Sequence, residues 1–334
     1  MQSLLDPAIL FFIFGILAGL MKSNLEIPSQ IAKFLSLYLL MALGLKGGFA
    51  LAHSGLNLQL VTSLGCAVAL ALIVPALSYL ALKRILPALD AVAVAATYGS
   101  VSAVTFITAV QYMDTHALHY GGHMAAAMAL MESPAILFAV IVANAVRKRH
   151  ANVDVANAVA GAVAQDKAGT LPTLGKILHE SLTDGAQLLL LGAMLVGILS
   201  GEAGKVSMQP FSGDLFKGML AFFLLDMGLK VARNLGQLRG KSPLLIAYSL
   251  LAPLAHAGIA LILAALFGLP AGDAALLMVL AASASYIAVP AVLRFAIPEA
   301  SPALYLGMSL GLTFPFNILL GIPLYMTIAH RVLI

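Results

Sequence analysis

Ten apolar runs, each near twenty residues long, punctuate this 334-residue chain, and nothing else in it constrains the fold as tightly. A run of that length matches the hydrocarbon thickness of a bilayer when it is helical. The runs lie near 4–21, 30–46, 59–82, 88–112, 121–146, 180–199, 213–231, 243–267, 273–297 and 301–328. With 61% hydrophobic and only 10% charged residues, and a mean hydropathy of +1.01, the composition is that of an integral membrane protein. The fold class expected is therefore all-α, with ten transmembrane helices.

Two of these runs share an interruption. Ser100 and Ser102, in TYGSVSAVTFITA, recur 183 positions later as Ser283 and Ser285, in AASASYIAVPAVL; Asp90 and Asp273 match at the same offset. Other matches fall in the same order: Ser3-Leu4-Leu5-Asp6 with Ser181-Leu182-Thr183-Asp184, Gly44-Leu45-Lys46 with Gly228-Leu229-Lys230, and Pro134 with Pro315. The longest polar interval, 147–180, divides the runs five and five. Domains follow as a first five-helix repeat over 1–146, a linker over 147–180 and a second repeat over 181–334. An odd number of spans per repeat turns the second upside down, giving two inverted five-helix repeats with a broken helix in each.

Lys and Arg set the orientation. With the N-terminus outside, fourteen of the eighteen fall in inner loops, and only Lys46, Lys205, Lys217 and Arg331 face out. Both termini are expected outside the cell's inner (plasma) membrane, with the linker in the cytoplasm. The same bias accounts for the net charge of +4 without any nucleic-acid partner.

Broken backbone at membrane depth is tolerated only where protein shields it or where it lines a cavity. If both runs open at their serines, two half-helix N-termini face each other, each with free N–H groups and partial positive charge, a combination that binds a small anion. Carbonyls and hydroxyls freed at the same place are hard donors of the kind that coordinate Na⁺. Ser100, Ser102, Thr105, Ser283 and Ser285 are the candidates for anion, cation or both, against the plainer account that they are small residues for close helix packing. Pro290 adds a bend seven residues after Ser283.

Glu132 sits in the apolar run MALMESPAILF, where a charge costs roughly 2.5–3.5 kcal/mol at a helix centre, and it is assigned to the cation site or to a buried hydrogen bond. Asn317 divides evenly between a site role and helix packing, whereas Asn144 reads as packing. Asp226 has Lys230 at i+4 and reads as a helix-face ion pair. His256 reads as a hydrogen-bonded core histidine. His116, His119 and His123 lack the partners of a metal site, and the single Cys66 offers no disulfide. No nucleotide-binding or hydrolase motif occurs, so an enzyme is not expected and no organic cofactor is called for.

The segments EIPSQIAKFLSLYLLMALGLKGGFAL (26–51), PAILFAVIVAN (134–144), APLAHAGIA (252–260) and SASYIAVPAVLRFAIP (283–298) resemble the cyanobacterial sodium-dependent bicarbonate transporter family. The resemblance implies Na⁺/HCO₃⁻ symport, Na⁺ as the coupling ion, a homotrimer in the lipid bilayer, and control by a PII-like protein at the cytoplasmic side. Carried over by position, the anion and sodium residues fall among Ser100, Ser102, Thr105, Ser283 and Ser285. Together with the residue-level readings, Ser100, Ser102, Ser283, Ser285 and Tyr286 are expected at the anion, and Ser102, Thr105, Ser285, Glu132 and Asn317 at sodium. The chain departs from the family at Tyr286, where the cyanobacterial proteins have an aspartate, and at Val289-Pro290-Ala291, where they have Gly-Pro-Pro. Two other readings remain open: a Na⁺/organic-anion symporter of the bile-acid type, and a non-transporting membrane receptor or scaffold that binds a PII-like protein through its linker.

Overall fold

A computed structural model describes residues 5–54, 58–158, 185–236 and 242–333. Most of the expected linker, and the Ser181–Asp184 match, lie outside the described residues. The described residues are mainly helical, with no strand among them, and apolar enough over seven stretches to cross a membrane.

Helix α1 covers Pro7–Leu20 and α2 Ser29–Ser54. Asp6 starts α1 by accepting the Ala8 N–H at 2.8 Å, with Pro7 in the first turn, where no N–H is needed. Then come α3 (Leu58–Leu82), α4 (Ala88–Gly99), α5 (Ala103–Thr115) and α6 (Met124–Ala158). The sixth helix continues past the expected span end at 146, because RKRHANVDVANA contains neither Gly nor Pro to stop it.

In the second half, α7 is Gly185–Met208 and α8 is Phe216–Leu235. Together they form a continuous apolar stretch of 51 residues, far longer than one bilayer crossing, and the chain breaks within it at Gly201, whose φ of +55° is left-handed. Helices α9 (Pro243–Leu266), α10 (Ala271–Ala282) and α11 (Ala288–Ala296) follow. The last helix, α12 (Pro302–Val332), is one apolar rod with π-helical turns at Ser309–Thr313 and Asn317–Gly321 on either side of Pro315. Such turns leave backbone groups available to neighbours.

Two helix pairs, α1 with α8 and α2 with α7, form one layer. They approach so closely that backbone meets backbone: a Cβ built on Gly228 would stand 3.0 Å from the Gly15 Cα, and one on Gly48 2.9 Å from the Gly197 Cα. The other layer packs α3 on α4 and α6, and α9 on α10. Its outer corners are fastened reciprocally. Asp90, at the start of α4, accepts the Ser301 N–H ahead of α12 at 2.8 Å, and Asp273, at the start of α10, accepts the Gly121 N–H ahead of α6 at 2.6 Å. Asp273 is fully buried and also takes a bond from Gln59 at 2.8 Å, with His123 Nε2 at 3.3 Å.

Candidate functional site

The expected interruptions are physical gaps in the helices. Between α4 and α5 the chain is extended at Ser100 (φ −95°, ψ 172°) and Ser102 (φ −103°, ψ 109°), and between α10 and α11 it is extended at Ser283 (φ −79°, ψ 164°). Small residues favour this, and so does Pro75 of α3, which packs against Gly99 where any side chain would collide. Pro290 falls in the first turn of α11, so its missing N–H leaves no gap in the ladder.

The two breaks cross and satisfy one another. Ser285 N–H donates to the Thr97 carbonyl at 2.8 Å, and Ser102 N–H donates to Ser283 Oγ at 2.9 Å, while Ser283 Oγ donates to the Leu280 carbonyl at 2.8 Å. Asn317, presented by a π-turn of α12, donates its amide to the Ala282 carbonyl at 2.8 Å and accepts from Tyr325 at 3.0 Å, closing the end of α10. These bonds hold unwound backbone in a buried place that would otherwise leave several polar groups orphaned.

Two of the three remaining serine hydroxyls cap the helices that restart. Ser102 Oγ accepts the Thr105 N–H at 3.2 Å and Ser285 Oγ accepts the Val289 N–H at 3.2 Å. First-turn N–H groups at Ala103, Val104 and Ala288 have no partner within their own helices. All three residues border a cavity of about 630 Å³, together with Ser102, Ser285 and Tyr286. Two positive helix ends therefore converge on one space.

The same cavity holds Glu132 of α6 and Gln187 of α7, whose amide donates to the Glu132 carboxylate at 2.9 Å. Ser36 of α2 and apolar side chains complete the wall, so helices of both layers contribute to it. A space with two helix N-termini, three serine hydroxyls, a phenol and a carboxylate suits an anion and a cation bound side by side better than either alone.

Of the residues expected at the site, then, Ser102, Ser285, Tyr286 and Glu132 meet in this cavity. Ser100 and Ser283 are 1% exposed and stand behind it, Ser100 Oγ without a partner and Ser283 as the hinge of the crossing. Thr105 and Asn317 are also 1% exposed; Thr105 occupies the first turn of α5 and Asn317 secures α10. Gln187 was not among the expected residues. Its signal was a single amide in the apolar run GAQLLLLGAML, near enough to a span end to read as a boundary.

The remaining polar residues take other positions. Asp226 pairs with Lys230 at 2.6 Å, and His256 lies 3.4 Å from Ser78 Oγ. Asn144 accepts from Arg147 at 3.4 Å. Arg147 also binds Glu299 at 2.7 Å and the Ala296 carbonyl at 3.0 Å, tying the far end of α11 to α6. Arg147 holds the Glu299 carboxyl below the usual carboxylate range. Because that value is lowered by folding, the pair's contribution is present above the ordinary carboxylate range and is lost as pH falls through the lowered value; with Glu299 half exposed, it is small.

The profile of the Na⁺-dependent bicarbonate transporter superfamily matches residues 7–330 of this chain. Comparison with curated proteins finds no match.

Proposed function

Since this chain belongs to the Na⁺-dependent bicarbonate transporter superfamily, we propose that it is a secondary active transporter that carries bicarbonate into the cell with Na⁺ by alternating access. The observation that carries this reading is the convergence of the α5 and α11 N-termini, with Ser102 and Ser285, on a cavity that also holds Glu132. Bicarbonate alone would face the Glu132 carboxylate. Na⁺ bound between them offsets that repulsion and makes each ion's binding depend on the other.

In the mechanism, the helix N-termini and serine hydroxyls take the anion's oxygens, and Tyr286 covers them from the side. Glu132, steadied by Gln187, supplies charge for Na⁺ together with carbonyl oxygens of the breaks. The layer of α1, α2, α7 and α8 then rocks against the layer holding the breaks, in two inverted repeats, 1–146 and 181–334, joined by a cytoplasmic linker over 147–180. The reciprocal bonds from Asp90 to Ser301 and from Asp273 to Gly121 support the repeat. Both termini lie outside the plasma membrane, the assembly is a homotrimer, and a PII-like protein acts from the cytoplasm. Each net charge moved inward gains about 2.3 kcal/mol per 100 mV.

Radiolabelled bicarbonate uptake into proteoliposomes tests this. Uptake is expected to need an inward Na⁺ gradient, and Glu132→Gln is expected to raise the Na⁺ concentration for half-maximal uptake by about tenfold or more, since one charge pair at close range is worth over 1 kcal/mol even in partly screened surroundings. An unchanged Na⁺ dependence in that variant would remove Glu132 from the cation site.

The cavity volume of about 630 Å³ favours a second reading, because it exceeds what bicarbonate fills and falls in the range of organic-ligand pockets. A Na⁺/organic-anion symporter of the bile-acid type would show Na⁺-driven uptake of a larger carboxylate that bicarbonate fails to displace. Absence of Na⁺-driven uptake for either class, in folded protein, would leave the receptor or scaffold reading.

A further inference from the structure

A second cavity, of about 360 Å³, lies farther along α5 from the helix breaks. Thr108, Gln111 and Thr115 of α5 border it, facing Ile9 of α1, Leu220 of α8 and Ile318 of α12. On α5, the polar residues Thr105, Thr108, Gln111 and Thr115 recur at intervals of three or four and so lie on one side of the helix, with the capping Ser102 just ahead of its first turn. Ser102 borders the first cavity and Thr108 the second, separated by about 9 Å at 1.5 Å rise per residue. One helix thus carries a polar stripe from one cavity to the other through Thr105, which is 1% exposed.

Three aromatic rings in a row connect elements that border the two cavities. Phe12 meets Phe314 edge to face, with centroids 5.4 Å apart and planes at 84°, and Phe314 meets Tyr286 at 5.1 Å and 59°. Phe12 lies one turn from Ile9 and Phe314 one turn from Ile318, both of the second cavity, whereas Tyr286 borders the first. Phe12 and Phe314 are buried to 0% and 2% exposure. Each ring comes from a different element: α1 in one layer, α12 in the other, and the break between α10 and α11.

We propose that the two cavities are the halves of one path for small ions, that Thr105 and Thr108 line its middle, and that Phe12, Phe314 and Tyr286 form the gate that separates them here. This rests on the transport reading above. Apolar rings in contact exclude water, and a hydrated ion cannot pass them. Rocking the α1-containing layer parts Phe12 from Phe314 and breaks no backbone hydrogen bond, since the three rings are joined only by packing.

Thiol accessibility tests the path without needing a substrate. In a Cys66→Ala background, which removes the single native thiol, Thr105→Cys and Gln111→Cys are exposed to a membrane-impermeant methanethiosulfonate added on the membrane face that carries Asp6 and His116. Gln111→Cys is expected to react readily and Thr105→Cys at least about tenfold more slowly; adding Phe314→Ala is expected to raise the Thr105→Cys rate by about tenfold, and Phe314→Tyr to leave it slow. Equal rates at the two positions, or no change with Phe314→Ala in protein that keeps its thermal unfolding midpoint, would overturn the gate. Should Phe314→Ala fail to fold, Phe12→Leu gives the same comparison from the other side of the contact. Because labelling is independent of bicarbonate and Na⁺, a failed uptake assay with the expected labelling pattern refutes the substrate and keeps the path, and the reverse result refutes the path alone.

Discussion

Ser283→Ala combined with Ser285→Ala should abolish Na⁺-driven bicarbonate uptake, to below about a tenth of the wild-type rate, while the protein stays folded in detergent. Ser283 Oγ is the acceptor for the Ser102 N–H, so its loss strands a buried donor at the crossing point of the two breaks. An unpaired buried donor costs about 1–3 kcal/mol, or roughly five- to 150-fold in an equilibrium that depends on the crossing. Ser285 Oγ caps α11 through Val289 and faces the cavity, so its removal takes away an anion ligand and loosens the N-terminus that holds the charge. Separate variants divide the effects. Ser285→Ala should act mainly on the apparent bicarbonate affinity, and Ser283→Ala on the maximal rate as well, because it changes how the two helices meet. Uptake in the double variant at the wild-type rate would show that the crossing is not the anion site.

A single methyl group should force apart a helix pair in the layer of α1, α2, α7 and α8. A Cβ on Gly48 collides with the Met194 carbonyl oxygen and lies 3.0 Å from the Ile198 nitrogen; a Cβ on Gly228 collides with the Phe12 carbonyl oxygen and lies 2.9 Å from the Ile16 nitrogen. Those neighbours are backbone atoms on facing helices, so no side-chain rotation relieves the contact and the helices must separate. Overpacking of this kind costs about 1–3 kcal/mol, and more when a close helix crossing is lost. Gly48→Ala and Gly228→Ala are expected to lower the thermal unfolding midpoint in detergent and to broaden the size-exclusion peak. Gly192→Ala, on the same helix as Gly197 but with nothing within 4 Å of the added carbon, should leave both unchanged. Equal midpoints for Gly48→Ala and Gly192→Ala would mean that the α2–α7 crossing contributes little to stability.

These glycines mark a limit of reading by hydropathy. Gly15 and Gly19 stand four apart on α1, as do Gly44 and Gly48 on α2, the small-xxx-small spacing that lets membrane helices approach. The spacing is local and visible, but the partner helix is not, since α8 and α7 lie well over a hundred residues away. Gln187 is the same case at the site: an amide near a span end, given meaning only by the Glu132 carboxylate on another helix.

What the amino-acid sequence settled by itself is the part governed by local chemistry. Transfer of about twenty apolar residues into lipid needs no tertiary partner, so the membrane class follows from composition and run length. The helix breaks were legible as small and hydroxylic residues repeated at matched positions in two apolar runs, even though Ala281, Ala282 and Ala284 beside the second pair are good helix formers. The bounds of the long α7–α8 stretch and of α6 were less legible, since a left-handed Gly201 and a helix running on to Ala158 depend on packing beyond the apolar window. Tertiary structure alone decided which hydroxyl meets the cavity and which meets backbone. Ser102 and its counterpart Ser285 both cap restarting helices, yet Ser283 Oγ holds the crossing while its counterpart Ser100 Oγ has no hydrogen-bond partner, because a helix break turns its side chains toward whatever the opposite break presents. The ring contacts of Phe12, Phe314 and Tyr286 have the same origin: each residue is unremarkable in its own run, and only the packing of three distant elements brings the rings together.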